Sequence, residues 1–580
     1  MLATMTSKNA LLFALFLFIA AGVLFPNPYG NNPDIVGDES YFLSTALFSI
    51  EKMTLPGWEF TPSGAYYGGP QTYIDTLVLV PILGAVLAAS DFSVMTAKIW
   101  VALNTGELLH IFRLVNGMAA LGMILFFFFY FKKRDIPRPL ALTLILFLFL
   151  LLSNVLVIEF LHTAKMWVFY ILFVAAASAL FIVQEYYLSG AAAKEKSPPR
   201  GLSERSEFRS GGDFSFAASE PFISKDRYVV LLVWIGVLTF FQSWVGVFSI
   251  ALLTMYALFL RHFHLRDIYN HFLKYWWLIG LFALTQIGFI WRLFSIREIL
   301  EEITANTNLL KPISFAFNSH PLVVFYPIAL LIMAAVVYRN RDLLVGSRRN
   351  MRLAIAAIHP LLVYLIFHVG IGFDIGPRYA IFLTMACALS IAMIFGEFGT
   401  RPLIAGVGIS AILFGIINTH AIGLYWRPSS EVDLQNIIVE KYNSPKNVFI
   451  IDHSAKRLTL PINYESLPLQ GETKLAMGRF QFLLANREHL SKDPEFKPIA
   501  VTAYTKYEED SYIKRFENTH SVWMIRRSCE NRCTAVEIES GICFELHLEA
   551  CVVSPQDTNA LPEFLSSKQL GNSYIVRKIN

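Results

Sequence analysis

Apolar residues run along this chain in long blocks separated by short polar ones, unlike the period-2 or period-3.6 stripes of a soluble domain. The first apolar block covers residues 10–25 and follows Lys8. Further blocks cover 73–89, 111–131, 140–156, 166–183, 228–239, 244–260, 272–291, 321–338, 353–373, 379–395 and 402–425. A helix needs about 20 apolar residues to cross a bilayer, and most of these blocks come close to that length. Lysine and arginine in short loops set the orientation. Lys132-Lys133-Arg134, Arg261 with Arg266, the cluster Arg339, Arg341, Arg348, Arg349 and Arg352, and Arg401 all mark cytoplasmic ends. Residues 73–89 contain Asp75 and Pro81 and have no basic anchor beyond them, so the alternation works when they form a re-entrant or surface helix. The pattern then predicts about 11 transmembrane helices, with the N-terminus cytoplasmic and the C-terminus outside.

Two stretches break the apolar rhythm. Residues 184–227 are rich in Ser, Gly, Lys, Arg and Glu and interrupted by Pro198-Pro199 and Gly211-Gly212, which predicts a flexible cytoplasmic loop. From Trp426 onward the sequence changes character. Residues 446–451 and 521–525 read as buried strands and 478–490 as a helix, giving a small extracytoplasmic α+β domain over 426–580.

Composition agrees. Of 580 residues, 55% are hydrophobic and only 16% charged, with a mean hydropathy of +0.49, whereas soluble domains are about a quarter charged. This is the composition of a polytopic α-helical membrane protein. The net charge of +4 is too small to predict a nucleic-acid partner, and no Walker loop, Rossmann fingerprint or internal repeat is present. Four of five cysteines, Cys529, Cys533, Cys543 and Cys551, lie in the tail. In an oxidising compartment they predict two disulfides of open pairing, with metal ligation as the alternative. Cys387, inside an apolar block, reads as packing.

Candidate chemistry gathers at the outer ends of the blocks. Asp38-Glu39 stands where the first block gives way to an amphipathic run through Tyr41, Phe42, Thr45, Phe48, Ile50 and Met53. The pair suits acid–base chemistry at a membrane surface, and equally suits a helix N-cap with a first-turn glutamate. Arg113 opens the 111–131 block, either as a functional charge or as a snorkelling one. Arg378 faces outside against the positive-inside trend. Its forked donors fit a phosphate, or Asp374 four residues back. Residues 157–165 form a predicted outer loop in which Glu159, His162 and Lys165 provide a possible acceptor site or a plain solvated segment. Tyr66-Tyr67 can stack on a sugar or anchor the interface.

The order of these features resembles the GT-C glycosyltransferases that use polyprenyl-phosphate sugars, in glycosyltransferase families 39 and 83. These include protein O-mannosyltransferases, lipid A aminoarabinose transferases and lipopolysaccharide-core galacturonosyltransferases. Asp38-Glu39-Ser40-Tyr41 matches the acidic first-loop motif, and Gly69-Pro70-Gln71-Thr72-Tyr73 stands in place of the Pro-Pro-Leu turn. Arg113-Leu114-Val115-Asn116-Gly117 and Arg378-Tyr379 resemble the family's arginine elements. The sequence departs at Lys165, where the family carries an aspartate. The resemblance spans roughly residues 10–425. It implies a GT-C-like fold and transfer of a sugar from a polyprenyl-phosphate donor to a glycan, lipid or protein acceptor on the extracytoplasmic face. The implied roles are Asp38 and Glu39 in catalysis and Arg113 and Arg378 on the donor phosphate. No cofactor is required, and a divalent metal is possible with ligands unknown. A multi-span transporter or lipid-linked substrate flippase, and a non-enzymatic assembly protein, are the rival expectations.

Overall fold

The computed structural model describes residues 6, 9–14, 39–56, 69–132, 136–161, 167–195, 224–242, 246–288, 290, 322–339, 348–370, 380–425, 427–455, 458, 460, 496–503, 505–527, 532–546, 565 and 573–580. Most of them are helical. In chain order the helices before the tail are α1 (Glu39–Lys52), α2 (Pro70–Ala89), α3 (Val94–Leu103), α4 (Thr105–Lys132), α5 (Arg138–Leu152), α6 (Val155–Leu161), α7 (Trp167–Glu195) and α8 (Lys225–Gln242). There follow α9 (Val247–Phe259), α10 (Leu265–Thr285), α11 (Leu322–Arg339), α12 (Arg348–Tyr364), α13 (Ala380–Glu397) and α14 (Thr400–Tyr425). A π-helical turn, Leu365–Gly370, extends α12 beyond its internal Pro360.

The protein is a helical membrane protein. Among the described residues, five helices are long and apolar enough to cross a bilayer, and six when α5 and α6 count as one bent span. The sequence predicted more spans, and several of the remaining blocks show why they fall short as helices. α9 has 13 residues, α8 opens on Lys225-Asp226-Arg227, and α10 begins at Leu265 with Arg266, Asp267 and Lys274 in its first half. α2, expected to lie on the surface or re-enter, is one of the five. It buries Gln71, Thr72, Asp75 and Leu79 and turns Leu77 and Val80 outward, an apolar outer face that suits lipid rather than water.

The main core is organised around α13. Its sequence is apolar all round, which in a helix means burial on every side, and it packs against α5, α7, α11, α12 and α14. Cys387 on α13 is a buried free thiol, as expected of packing. A second core joins the outer helices. Leu43 and Ala46 of α1 meet Leu79 of α2 and Leu108, Leu109 and Phe112 of α4.

Two predicted boundaries are corrected. The expected cytoplasmic loop over 184–227 is helical at both ends, because α7 continues to Glu195 and α8 starts at Lys225. Gln184 and Glu185 are buried rather than solvated. Residues 196–223 lie outside the described residues. The expected loop at 157–165 begins with α6, which is buried throughout. α5 stops at Ser153-Asn154 and α6 leaves at 78° to it. Asn154 makes this bend: its Oδ1 accepts from Leu156 N at 2.8 Å, the role of a helix cap, while its Nδ2 donates to Thr384 Oγ1 at 2.7 Å.

The tail holds a five-stranded sheet in the order β2-β1-β3-β5-β4, with β1 (Asn447–Ile451), β2 (Ile499–Thr502), β3 (Ser521–Arg527), β4 (Cys543–Leu546) and β5 (Tyr574–Lys578). β1 pairs in parallel with β2 and β3, and β5 runs antiparallel to β3 and β4. Alternate side chains face opposite layers. Phe449 and Ile451 pack toward α15 (Ser430–Tyr442), and Val448 and Ile450 toward α16 (Lys506–Phe516). The predicted strands are thus present within one or two residues; the predicted helix at 478–490 lies outside the described residues. Cys533 and Cys543 form a disulfide across α17 (Ala535–Glu539), and the partners expected for Cys529 and Cys551 lie outside the described residues.

Candidate functional site

Helix α1 begins at Glu39. Asp38, Tyr66, Tyr67, His162, Lys165 and Arg378 lie outside the described residues. The two remaining candidates do come together at the level of their helices. Arg113, one turn beyond His110 on α4, is 3% exposed, and Glu159 on α6 is 4% exposed. α4 packs against both α6 and α1. Glu159 is therefore not part of a solvated outer loop. The polar pair Ser153-Asn154 inside an apolar block was the available signal, since an Asx cap ends one helix and starts the next. A buried charge is costly unless it is engaged. Both Arg113 and Glu159 make further polar or electrostatic contacts.

A second polar cluster lies where α2 starts and α8 and α10 end. Gly69 N donates to Gln286 Oε1 at 2.9 Å, Gln71 N donates to Gln242 Oε1 at 3.1 Å, and Gln242 Nε2 donates to Gln71 Oε1 at 3.2 Å. The Tyr73 hydroxyl donates to the Thr285 carbonyl. Gln71, Gln242, Gln286 and Asp75 are all buried. Gly69 has φ +102°, and a Cβ there would stand 2.3 Å from the Phe241 carbonyl oxygen. Only glycine allows the two backbones this close. In the sequence Gln71 falls in a turn and Asp75 in an apolar block, but nothing local links them to glutamines about 170 and 215 residues away in the chain.

A third cluster lies at the opposite ends of the helices. His262 Nε2 is hydrogen-bonded to Glu185 Oε2. Arg352 reaches Glu397 at 2.8 Å and Glu185 at 3.6 Å, tying α7, α12, α13 and the turn after α9. Between these levels, the middle of the bundle has a narrow cavity lined by Tyr170, Ser178, Ser249 and His359 among apolar residues. Tyr170 and Ser249 share a hydrogen bond at 3.0 Å, as do Tyr256 and His359 Nδ1.

For a metal, the geometry among the described residues offers Asp452, His453 and Glu509 in the tail domain. Their carboxylates are already engaged. Arg526 contacts Asp452 and Glu509, each at 3.1 Å, and Lys506 is bonded to Glu509, which holds its ammonium above the usual lysine range. A cation would have to displace these partners, so this donor set fits an ion-pair network better than a metal.

The chain matches no protein-family model, no curated protein and no solved structure. The functional reading therefore rests on the residues themselves.

Proposed function

We propose that this protein is a membrane glycosyltransferase of GT-C-like architecture that moves a sugar from a polyprenyl-phosphate donor to a glycan, lipid or protein acceptor outside the cytoplasm. The observation that carries the reading is the burial of Arg113 and Glu159 on helices packed beside α1, which opens at Glu39, the residue that follows Asp38 in the sequence. In this mechanism an acceptor hydroxyl oxygen attacks the anomeric carbon, the carbon–oxygen bond to the lipid phosphate breaks, and the configuration inverts. Asp38 takes the acceptor proton and Glu39 orients Asp38. Arg113 and Arg378 stabilise the charge gathering on the departing phosphate. The disulfide in the tail supports an extracytoplasmic location for that domain.

The test is glycan and lipid mass spectrometry on cells lacking the protein, complemented with wild type or Asp38→Asn. A missing sugar restored by wild type is expected. Asp38→Asn should transfer about 10²–10⁴-fold more slowly, the usual contribution of a general base, at unchanged expression. Asparagine caps a helix about as well as aspartate. Near-normal transfer by this variant would return Asp38 to a capping role. No glycan change, with altered solute uptake instead, would favour a carrier; the buried Asp75, with no charged partner among the described residues, is the observation on that side.

A further inference from the structure

Asp75 sits just inside the N-terminus of α2 at 0% exposure. Among the described residues its carboxyl oxygens have no well-formed hydrogen bond; the amide of Gln71, one turn earlier, makes the one side-chain contact to them, and Gln71 Nε2 has no other partner. The remaining polar groups of the cluster are committed to each other: Gln242 Oε1 and Gln286 Oε1 accept from the α2 backbone, and the Thr285 carbonyl accepts from Tyr73.

No described charge compensates it. On the helices packed against α2, Glu51 of α1 and Lys98 of α3 pair with each other at 2.7 Å. Lys52 of α1 and Glu107, His110 and Arg113 of α4 form no ion pair with Asp75. The charges of α8, Lys225, Asp226 and Arg227, lie at its far end, as do Arg266, Asp267, His271 and Lys274 of α10. Two helix C-termini, those of α8 and α10, meet at the cluster, and a C-terminus carries partial negative charge. The start of α2 offsets part of this, but its first amides are taken by Gln242 and Gln286. A solitary carboxylate enclosed in such a place is far less stable than in water unless a positive charge joins it.

We propose that Asp75 is the anionic ligand of an occluded monovalent-cation site, occupied by a proton or an alkali-metal ion, at the junction of α2 with the ends of α8 and α10. Membrane proteins commonly hold such ions where helices end and polar backbone is gathered. The site is independent of the sugar-transfer reading and stands or falls separately from it.

The test uses the full-length protein, purified in lipid nanodiscs, and follows its thermal unfolding midpoint. One arm exchanges choline chloride for NaCl or KCl at constant ionic strength and pH. The other lowers the pH in choline chloride alone. A ligand that binds only the folded state raises the midpoint with its concentration. Wild type should rise by a few degrees in the first arm when the occupant is an alkali ion, and in the second when it is a proton. Asp75→Asn, an uncharged isostere standing for the occupied site, should fold, melt no lower than the cation-free wild type, and lose the response. Asp267→Asn, which alters a partly exposed pair with Lys225 at the far end of α10, should keep it. The proposal is overturned when wild type answers in neither arm, when Asp75→Asn answers as wild type does, when Asp267→Asn loses the response as well, or when Asp75→Asn fails to fold.

Discussion

Arg352 shows what a single residue contributes here. It binds Glu397 and Glu185 while Glu185 also bonds His262, so one guanidinium neutralises two mostly buried carboxylates on different helices. Removing one partner of a buried pair leaves the other charge uncompensated and costs about 3–5 kcal/mol. Arg352→Met should lower stability by that order in detergent unfolding, and Arg352→Met with Glu397→Gln should cost less than the single change. Little of this was legible beforehand. In the sequence Arg352 is one of five arginines that mark a cytoplasmic end, and Glu185 falls in a stretch that reads as a flexible loop. Its true partner, His262, is 77 residues away. Arg113 was legible as a charge at the mouth of an apolar block. Glu159 was legible as an acid but not as a buried one, because burial depends on which helices close over it.

At the scale of elements, the bend at Asn154 decides where Glu159 goes. Asn154→Leu removes the cap on α6 and the bond to Thr384, and it suits a continuous helix better than a broken one. Losing a cap costs about 0.5–2 kcal/mol. The expected result is a destabilisation of that size. Asn154→Asp keeps the cap and should be milder, and thermal unfolding of the two variants side by side separates them. The apolar blocks located α5, α13, α14 and the start of α7 to within a few residues, since a long apolar run has few alternatives in a bilayer. Their breaks were harder to see. Ser153-Asn154 interrupts an apolar block with only two polar residues, and the extension of α7 to Glu195 runs through Ser, Gly and Ala that fit a loop equally well. For the tail, β-branched and aromatic runs exposed β1 and β3. β5 was missed because Tyr574-Ile575-Val576-Arg577-Lys578 is short and half polar.

Over the whole molecule, the cross-chain contacts sort the helix ends into two groups. Glu185, His262, Arg352 and Glu397 meet at one. Leu152, Asn154, Thr384 and Asn418 meet at the other, where the Asn418 side chain donates to the Leu152 carbonyl at 3.1 Å. The alternation of basic loops divides these same residues in the same way. Reporter fusions at residue 200 should therefore give a cytoplasmic signal and fusions just after Arg427 an external one; an external signal at residue 200 would reverse the proposed orientation. The strand order of the tail has a consequence for biosynthesis. β5 lies between β3 and β4 although it follows both in the chain. As the nascent polypeptide emerges, the parallel half of the sheet can assemble, but β3 keeps an unpaired edge and β4 has no neighbour until Tyr574–Lys578 is delivered. An open edge invites pairing with other chains. For that interval a half-built domain is exposed to proteases and to its own kind, and any message cut short before codon 574 leaves it permanently in that state.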